Sequence, residues 1–167
     1  ATRELDEVRL FNFGDVMLEE GVTRGVATTR SELAALSRRE TERLQRRAGE
    51  YVEDRADSRN VLLSTHLAVG TATGIVPGLP RSVLRDIDPS VIVLVEAEPQ
   101  TVLDRRAQSE RSFDSITPRR VDFLQDLGRA AAFDFAIAVD ASVELIENED
   151  DVETAADDLV AVITAVD

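Results

Sequence analysis

All 19 basic residues of this 167-residue chain are arginine; it has one histidine, no lysine and no cysteine. Those residue types bound the chemistry. Arg105, Arg106 and Arg111, with Asp114 nearby and Arg129 further on, gather planar guanidinium groups, which hold phosphate oxygens bidentately and neutralise charge on a transferring phosphoryl group. Surface ion pairs explain the same cluster, since Arg119 and Arg120 show how common arginine is here. The lone histidine, His66, follows Ser64 and Thr65 at the end of an apolar run. A hydrogen-bonded structural role and a catalytic one both fit it. No metal site is expected, because a zinc centre needs three or four ligands and neither a second histidine nor any cysteine is available. No catalytic triad forms without a base beyond His66, and no G-x-x-x-x-G-K-[ST] phosphate loop occurs in the sequence. A last candidate is Phe13-Gly14-Asp15, where Gly14 lets backbone approach a ligand closely and Asp15 can cap a following helix. A plain tight turn accounts for it as well.

The elements that must position these residues read as an alternation of strands and helices. Strands are predicted at Val8 to Phe13, Val61 to Ser64, Val91 to Val95 and Val143 to Ile146. The run Val91-Ile92-Val93-Leu94-Val95 is apolar on both faces, the pattern of a parallel strand enclosed by helical layers. One long helix is predicted from Ser31, as N-cap, to about Asp54, with Leu33, Leu36, Leu44, Ala48, Tyr51 and Val52 on one stripe. Further helices are predicted at Pro80 to Asp86, Pro99 to about Gln108, about Pro118 to Ala136, and Val152 to Val166. The Gly/Thr/Pro-rich stretch from Gly70 to Pro80 reads as the longest loop. Alternation of this kind implies right-handed crossovers and a parallel α/β sheet, with ligand beyond the carboxyl ends of the strands.

Composition narrows the partners. With 43% hydrophobic residues the length suits one compact domain. The 33 acidic residues give a net charge of -14, a field that repels a nucleic-acid backbone. No apolar run is long enough to span a membrane and no signal peptide is readable, so a soluble, cytoplasmic protein without membrane partners is expected. Acid excess with arginine in place of lysine resembles proteins of salt-rich cytoplasm, where screening removes self-repulsion.

In order along the chain, these pieces resemble archaeal adenylate kinases. Leu10-Phe11-Asn12-Phe13-Gly14-Asp15-Val16-Met17 resembles that family's N-F-G-x-V-M segment. Arg30 with Leu33 and Leu36 resembles its R-x-x-(L/M)-x-x-L, with Gln45 and Ala48-Gly49 matching in the helix beyond. Thr65-His66 resembles D-T-H at a strand end, and Gly74 with Pro77-Gly78-Leu79-Pro80 resembles G-Y-L-P-G-L-P. Arg105-Arg106, Arg111 and Asp114 fit the lid pattern R-R followed by T-R-x-R-D; Arg129-Ala130-Ala131-Ala132 fits N-R-A-A-A; Asn148 stands where the family has an asparagine after its last strand.

The resemblance implies a P-loop NTPase-type three-layer α/β/α fold, a single nucleoside monophosphate kinase domain over 1–167 with a lid at about 105–120, and the magnesium-dependent reaction of ATP with AMP to give two ADP. Gly14, Arg30, Gln45, His66 and Gly78 would line the monophosphate side. Arg106 and Asn148 would serve the ATP side, Arg106 against the base, while Arg111 and Arg129 hold phosphates as catalytic groups. A homo-oligomer is implied as well. Departures are specific. The family's first strand, phosphate loop and most of a helix, about 25 residues, have no counterpart, and Ala1 to Leu5 reads like the end of that helix. The chain as given is therefore expected to be inactive, with a gap in its core or an exposed strand edge. Ser64 replaces an aspartate, Phe113 a lid arginine and Ile75 a tyrosine. A non-catalytic nucleotide-binding or protein-interaction module on the same fold, and another small-substrate kinase such as a cytidylate or shikimate kinase, are the alternatives.

Overall fold

A computed structural model describes residues 8–56, 60–71, 74–108, 116–149 and 151–166. Two compact units divide between Pro89 and Ser90. Each contains one pair of parallel strands and its own helices, an α/β architecture as the alternation predicts.

In the N-terminal unit β1 (Arg9–Asn12) runs parallel to β2 (Val61–Ser64), with Arg9 opposite Val61 and Asn12 opposite Ser64. Parallel neighbours need a crossover, and three helices supply it: α1 (Phe13–Thr23), α2 (Arg30–Ala35) and α3 (Arg38–Ala56). The single helix predicted from Ser31 is thus two. Leu36 is extended, and Ser37 restarts the chain as a cap: the Glu40 carboxylate accepts from the Ser37 N–H (3.2 Å) and hydroxyl (2.5 Å). A cap that satisfies the orphan N–H groups of a new helix outweighs the continuous apolar stripe. The cap of α2 is Thr29 rather than Ser31.

The predicted loop after β2 also differs. Ala68–Thr71 (β3) and Gly74–Pro77 (β4) form an antiparallel pair, with Ala68 opposite Pro77. Helix α4 (Arg81–Ile87) then ends at Asp88, in the left-handed region at φ 48, just before Pro89. Phe13, Val16, Leu44, Ala48, Val52, Leu79, Val83 and Leu84 are buried in this unit. Each large apolar side chain so buried contributes about 1.5–3 kcal/mol. Gly49 lets α3 approach α4, for a Cβ there would lie 2.6 Å from Val83 Cγ1.

In the C-terminal unit β5 (Val91–Glu96) runs parallel to β6 (Ser142–Glu147), in register from Val91–Ser142 to Glu96–Glu147. The crossover holds α5 (Pro99–Ala107) and α6 (Pro118–Val139), and α7 (Val152–Ala165) follows β6. Thr117 and Asp151 cap α6 and α7, and α6 stops at Asp140 with φ 56. Val121, Ala132, Phe135, Ala136, Ile146 and Ala155 are buried here. The apolar β5 is half-buried rather than enclosed, with Val95 54% exposed, because its one strand neighbour among the described residues is β6. Among the described residues no helix is long and apolar enough to cross a membrane.

Candidate functional site

The N-terminal unit concentrates polar chemistry beyond the carboxyl end of β1, where ligands of parallel α/β sheets bind. The Asn12 side chain accepts the Asp15 N–H at 3.2 Å, so α1 starts at Phe13 and Gly14 falls in its first turn. Asp15, expected as the cap, stands instead in that turn and accepts from Arg30 Nη2. A Cβ on Gly14 would lie 2.6 Å from Arg30 Nη1, so the missing side chain is the space the guanidinium occupies. Arg30 is aimed by a second cap. Thr29 accepts the Glu32 N–H at 3.1 Å, and the Glu32 carboxylate takes the Thr28 N–H (2.6 Å) and hydroxyl (2.8 Å). Those contacts, the Thr28 N–H first, hold the Glu32 carboxyl below its ordinary range. Arg30 is thereby the first residue of a helix fixed at its start, with its side chain 55% exposed.

Gln45, His66 and Gly78 meet at a second point of this unit. Gln45, 6% exposed, donates from Nε2 to the Gly78 carbonyl at 2.9 Å. Gly78 N–H donates to Leu67 O at 2.9 Å, and a Cβ on Gly78 would fall 1.6 Å from the His66 carbonyl oxygen. Gly78 is therefore required by close backbone approach. His66 enters this junction through its backbone, and its residue surface is exposed.

In the C-terminal unit Arg129, on α6, donates from Nε (2.9 Å) and Nη2 (2.7 Å) to Glu96, the last residue of β5, and from Nη1 to Asp126 at 3.0 Å. The hydrogen bond and charge of Glu96 raise the Arg129 pKa further. Asn148 follows β6, and its N–H reaches the Glu96 carbonyl at 2.7 Å. Arg106 is half-buried in the last turn of α5. Arg106, Arg129 and Asn148 thus all belong to the unit carrying β5 and β6. Arg111, Phe113 and Asp114 lie outside the described residues, as does most of the middle of the predicted lid. Among the described residues no three His, Cys, Asp or Glu side chains come together as a metal cluster.

Sequence reasoning missed the Arg30–Asp15 pair, the Glu32 cap, and the polar contacts of α5 with the loop after β6, made by Arg105 and Glu149. A T-x-x-E spacing, Thr29 to Glu32, was the available signal for the second of these. The others join residues 15 to 51 positions apart and leave no local pattern.

Residues 1–121 match the family model of the AAA domain. The chain is 36% identical over 158 residues to the adenylate kinase of Thermococcus onnurineus, covering 93% of this chain and 81% of that protein. With the adenylate kinase of Pyrococcus furiosus it shares 35% identity over the same coverage. With that of Methanothermobacter thermautotrophicus it shares 32% over 163 residues, 96% of this chain and 88% of the relative.

Proposed function

The chain belongs to the adenylate kinase family of phosphotransferases, and from that premise we propose that it transfers a phosphoryl group from ATP to AMP, giving two ADP. The observation that carries this reading is Arg30 against the bare backbone of Gly14. It is a guanidinium fork at a strand's carboxyl end, opposed by one exposed carboxylate that a phosphate can replace. Bidentate pairing to phosphate oxygens is what arginine does there and lysine does not.

Phosphoryl transfer depends on positioning and on charge neutralisation more than on covalent chemistry. In this scheme Arg30 holds the monophosphate, with Gly14, Gln45, His66 and Gly78 on the same side. Gln45 fixes the Gly78 backbone, and the bare Cα of Gly78 lets strand end and hairpin close up. Arg129, kept charged and oriented by Glu96 and Asp126, meets the transferring phosphate together with Arg111. Arg106 and Asn148 serve the ATP side. Closure of a lid at about 105–120 within a single functional domain would keep water from the phosphoryl group. Magnesium supplies charge neutralisation on the nucleotide phosphates. The described residues do not fit a protein-held ion, since no carboxylate cluster forms and Ser64 ends β2, so no step is assigned to it.

The acidic, lysine-free surface supports a cytoplasmic setting of high salt in an archaeon, and a homo-oligomer belongs to the same proposal. The test is a coupled assay for ADP from ATP and AMP in concentrated KCl, on this chain and on one extended in frame upstream of Ala1. Turnover that needs both nucleotides, with the AMP KM raised about tenfold or more by Arg30→Met, supports the proposal. An extended protein that binds nucleotide yet transfers nothing to any monophosphate would point to a non-catalytic binding module. Transfer to cytidylate or shikimate in preference to AMP would reassign the substrate.

A further inference from the structure

The loop after β6 and helix α5 hold each other by reciprocal contacts between side chains of one and backbone of the other. From the loop, the Glu149 carboxylate accepts the backbone N–H of Glu98, the residue that opens α5, and the hydroxyl of Thr101 at 2.9 Å. Glu98 makes no side-chain cap of its own and Pro99 has no N–H, so the start of α5 takes its cap from 51 residues away. A carboxylate at that end also complements the helix dipole. From the helix, Arg105 in the last turn donates to two successive carbonyls of the loop, Asn148 O (2.6 Å) and Glu149 O (2.9 Å). An arginine side chain pointing back toward its helix start reaches that far. Asn148 is consequently tied on both sides of its backbone, its N–H to Glu96 O at 2.7 Å and its carbonyl to Arg105. Among the described residues its side-chain amide makes no hydrogen bond.

Both connections lie beyond the carboxyl ends of β5 and β6, and Glu96, which receives the Asn148 N–H, also orients Arg129. Arg106 is the next residue on the clamped helix. We propose that Arg105 and Glu149 are positioning residues of the ATP subsite: their reciprocal clamp sets the spacing between Arg106 on α5 and Asn148 on the loop after β6. Neither touches the nucleotide. The inference rests on the adenylate kinase reading for the identity of its ligand.

The test uses the protein expressed from its own start codon, with Arg105→Met, Glu149→Ala, the double variant and the conservative Glu149→Gln. Equilibrium binding of ATP and of AMP is measured alongside KM and kcat. Each single variant should weaken ATP about tenfold, leave AMP within twofold, and change kcat little. The double variant should be no worse than either single one, because the contacts act as one unit. Glu149→Gln keeps an acceptor for the Glu98 N–H and should recover part of the affinity. Unchanged ATP affinity, or equal weakening of ATP and AMP, overturns the proposal. If the parent binds neither nucleotide, the kinase reading fails and takes the ligand assignment with it. Amide exchange at Glu98 and Asn148 in Glu149→Ala then separates the two failures: faster exchange retains the clamp, and unchanged exchange removes it too.

Discussion

Gly78→Ala places a methyl group where the structure has none to spare. The added Cβ would sit 1.6 Å from the His66 carbonyl oxygen and 2.7 Å from its carbon, so the obstacle is backbone and cannot rotate away. Reaching van der Waals distance requires the two segments to separate by roughly 2 Å. Two hydrogen bonds oppose that movement, Gly78 N–H to Leu67 O and Gln45 Nε2 to Gly78 O, each 2.9 Å. Overpacking of this kind costs about 1–3 kcal/mol. Leaving the buried Gln45 amide unpaired adds about 1–3 kcal/mol. A total of about 2–6 kcal/mol is a large share of a domain's stability of about 5–15 kcal/mol. In urea unfolding followed by circular dichroism, with a slope of about 1–3 kcal/mol per molar, the midpoint should fall by about 1 M or more. Amide exchange at Gly78, whose N–H donates to Leu67 O, should localise the loss to its junction with the β2–β3 link. A midpoint shift below about 0.3 M would refute the close approach.

The remaining glycine positions predict different signs. Gly128 lies inside α6 with open space around its missing Cβ, so Gly128→Ala should stabilise by about 0.5–1 kcal/mol in the same urea experiment. Gly49→Ala should destabilise by about 1–3 kcal/mol, and Val83→Ala in the same chain should recover much of it, as a double-mutant cycle on urea midpoints would show. Hydrogen bonds hold Glu32 and Glu40 below their ordinary value of 4.5 and Asp151 below 3.8, led by the Thr28 N–H, the Ser37 hydroxyl and the Thr154 N–H respectively. A lowered folded-state value makes the contribution complete above the unfolded value and lost as pH falls through the folded one. Stability measured from pH 6 downward should therefore decline below about pH 4.5, less steeply in Glu32→Gln/Glu40→Gln/Asp151→Asn.

The four parallel strands were readable from short apolar runs, and β2, Val61–Ser64, begins and ends where the sequence reading placed it. The β3–β4 hairpin was not, since Ala68-Val69-Gly70-Thr71 and Gly74-Ile75-Val76-Pro77 carry the glycine, threonine and proline that ordinarily mark loops. Ser37 restarted a helix inside an unbroken amphipathic stripe, a competition between cap and stripe that spacing alone does not decide. Gly14 stood out as a glycine at a strand-to-helix turn, and Arg30 through the family resemblance. Their mutual contact, and the bond from Gln45 to Gly78, join segments distant in the chain and follow from packing.

The most direct test of the central claim follows the phosphoryl group itself. With ATP labelled at the γ-phosphate and unlabelled AMP, the protein expressed from its own start codon should move label into the β-position of newly formed ADP, with none appearing as inorganic phosphate beyond the background without enzyme. Label released to water at the same rate with and without AMP would contradict the account.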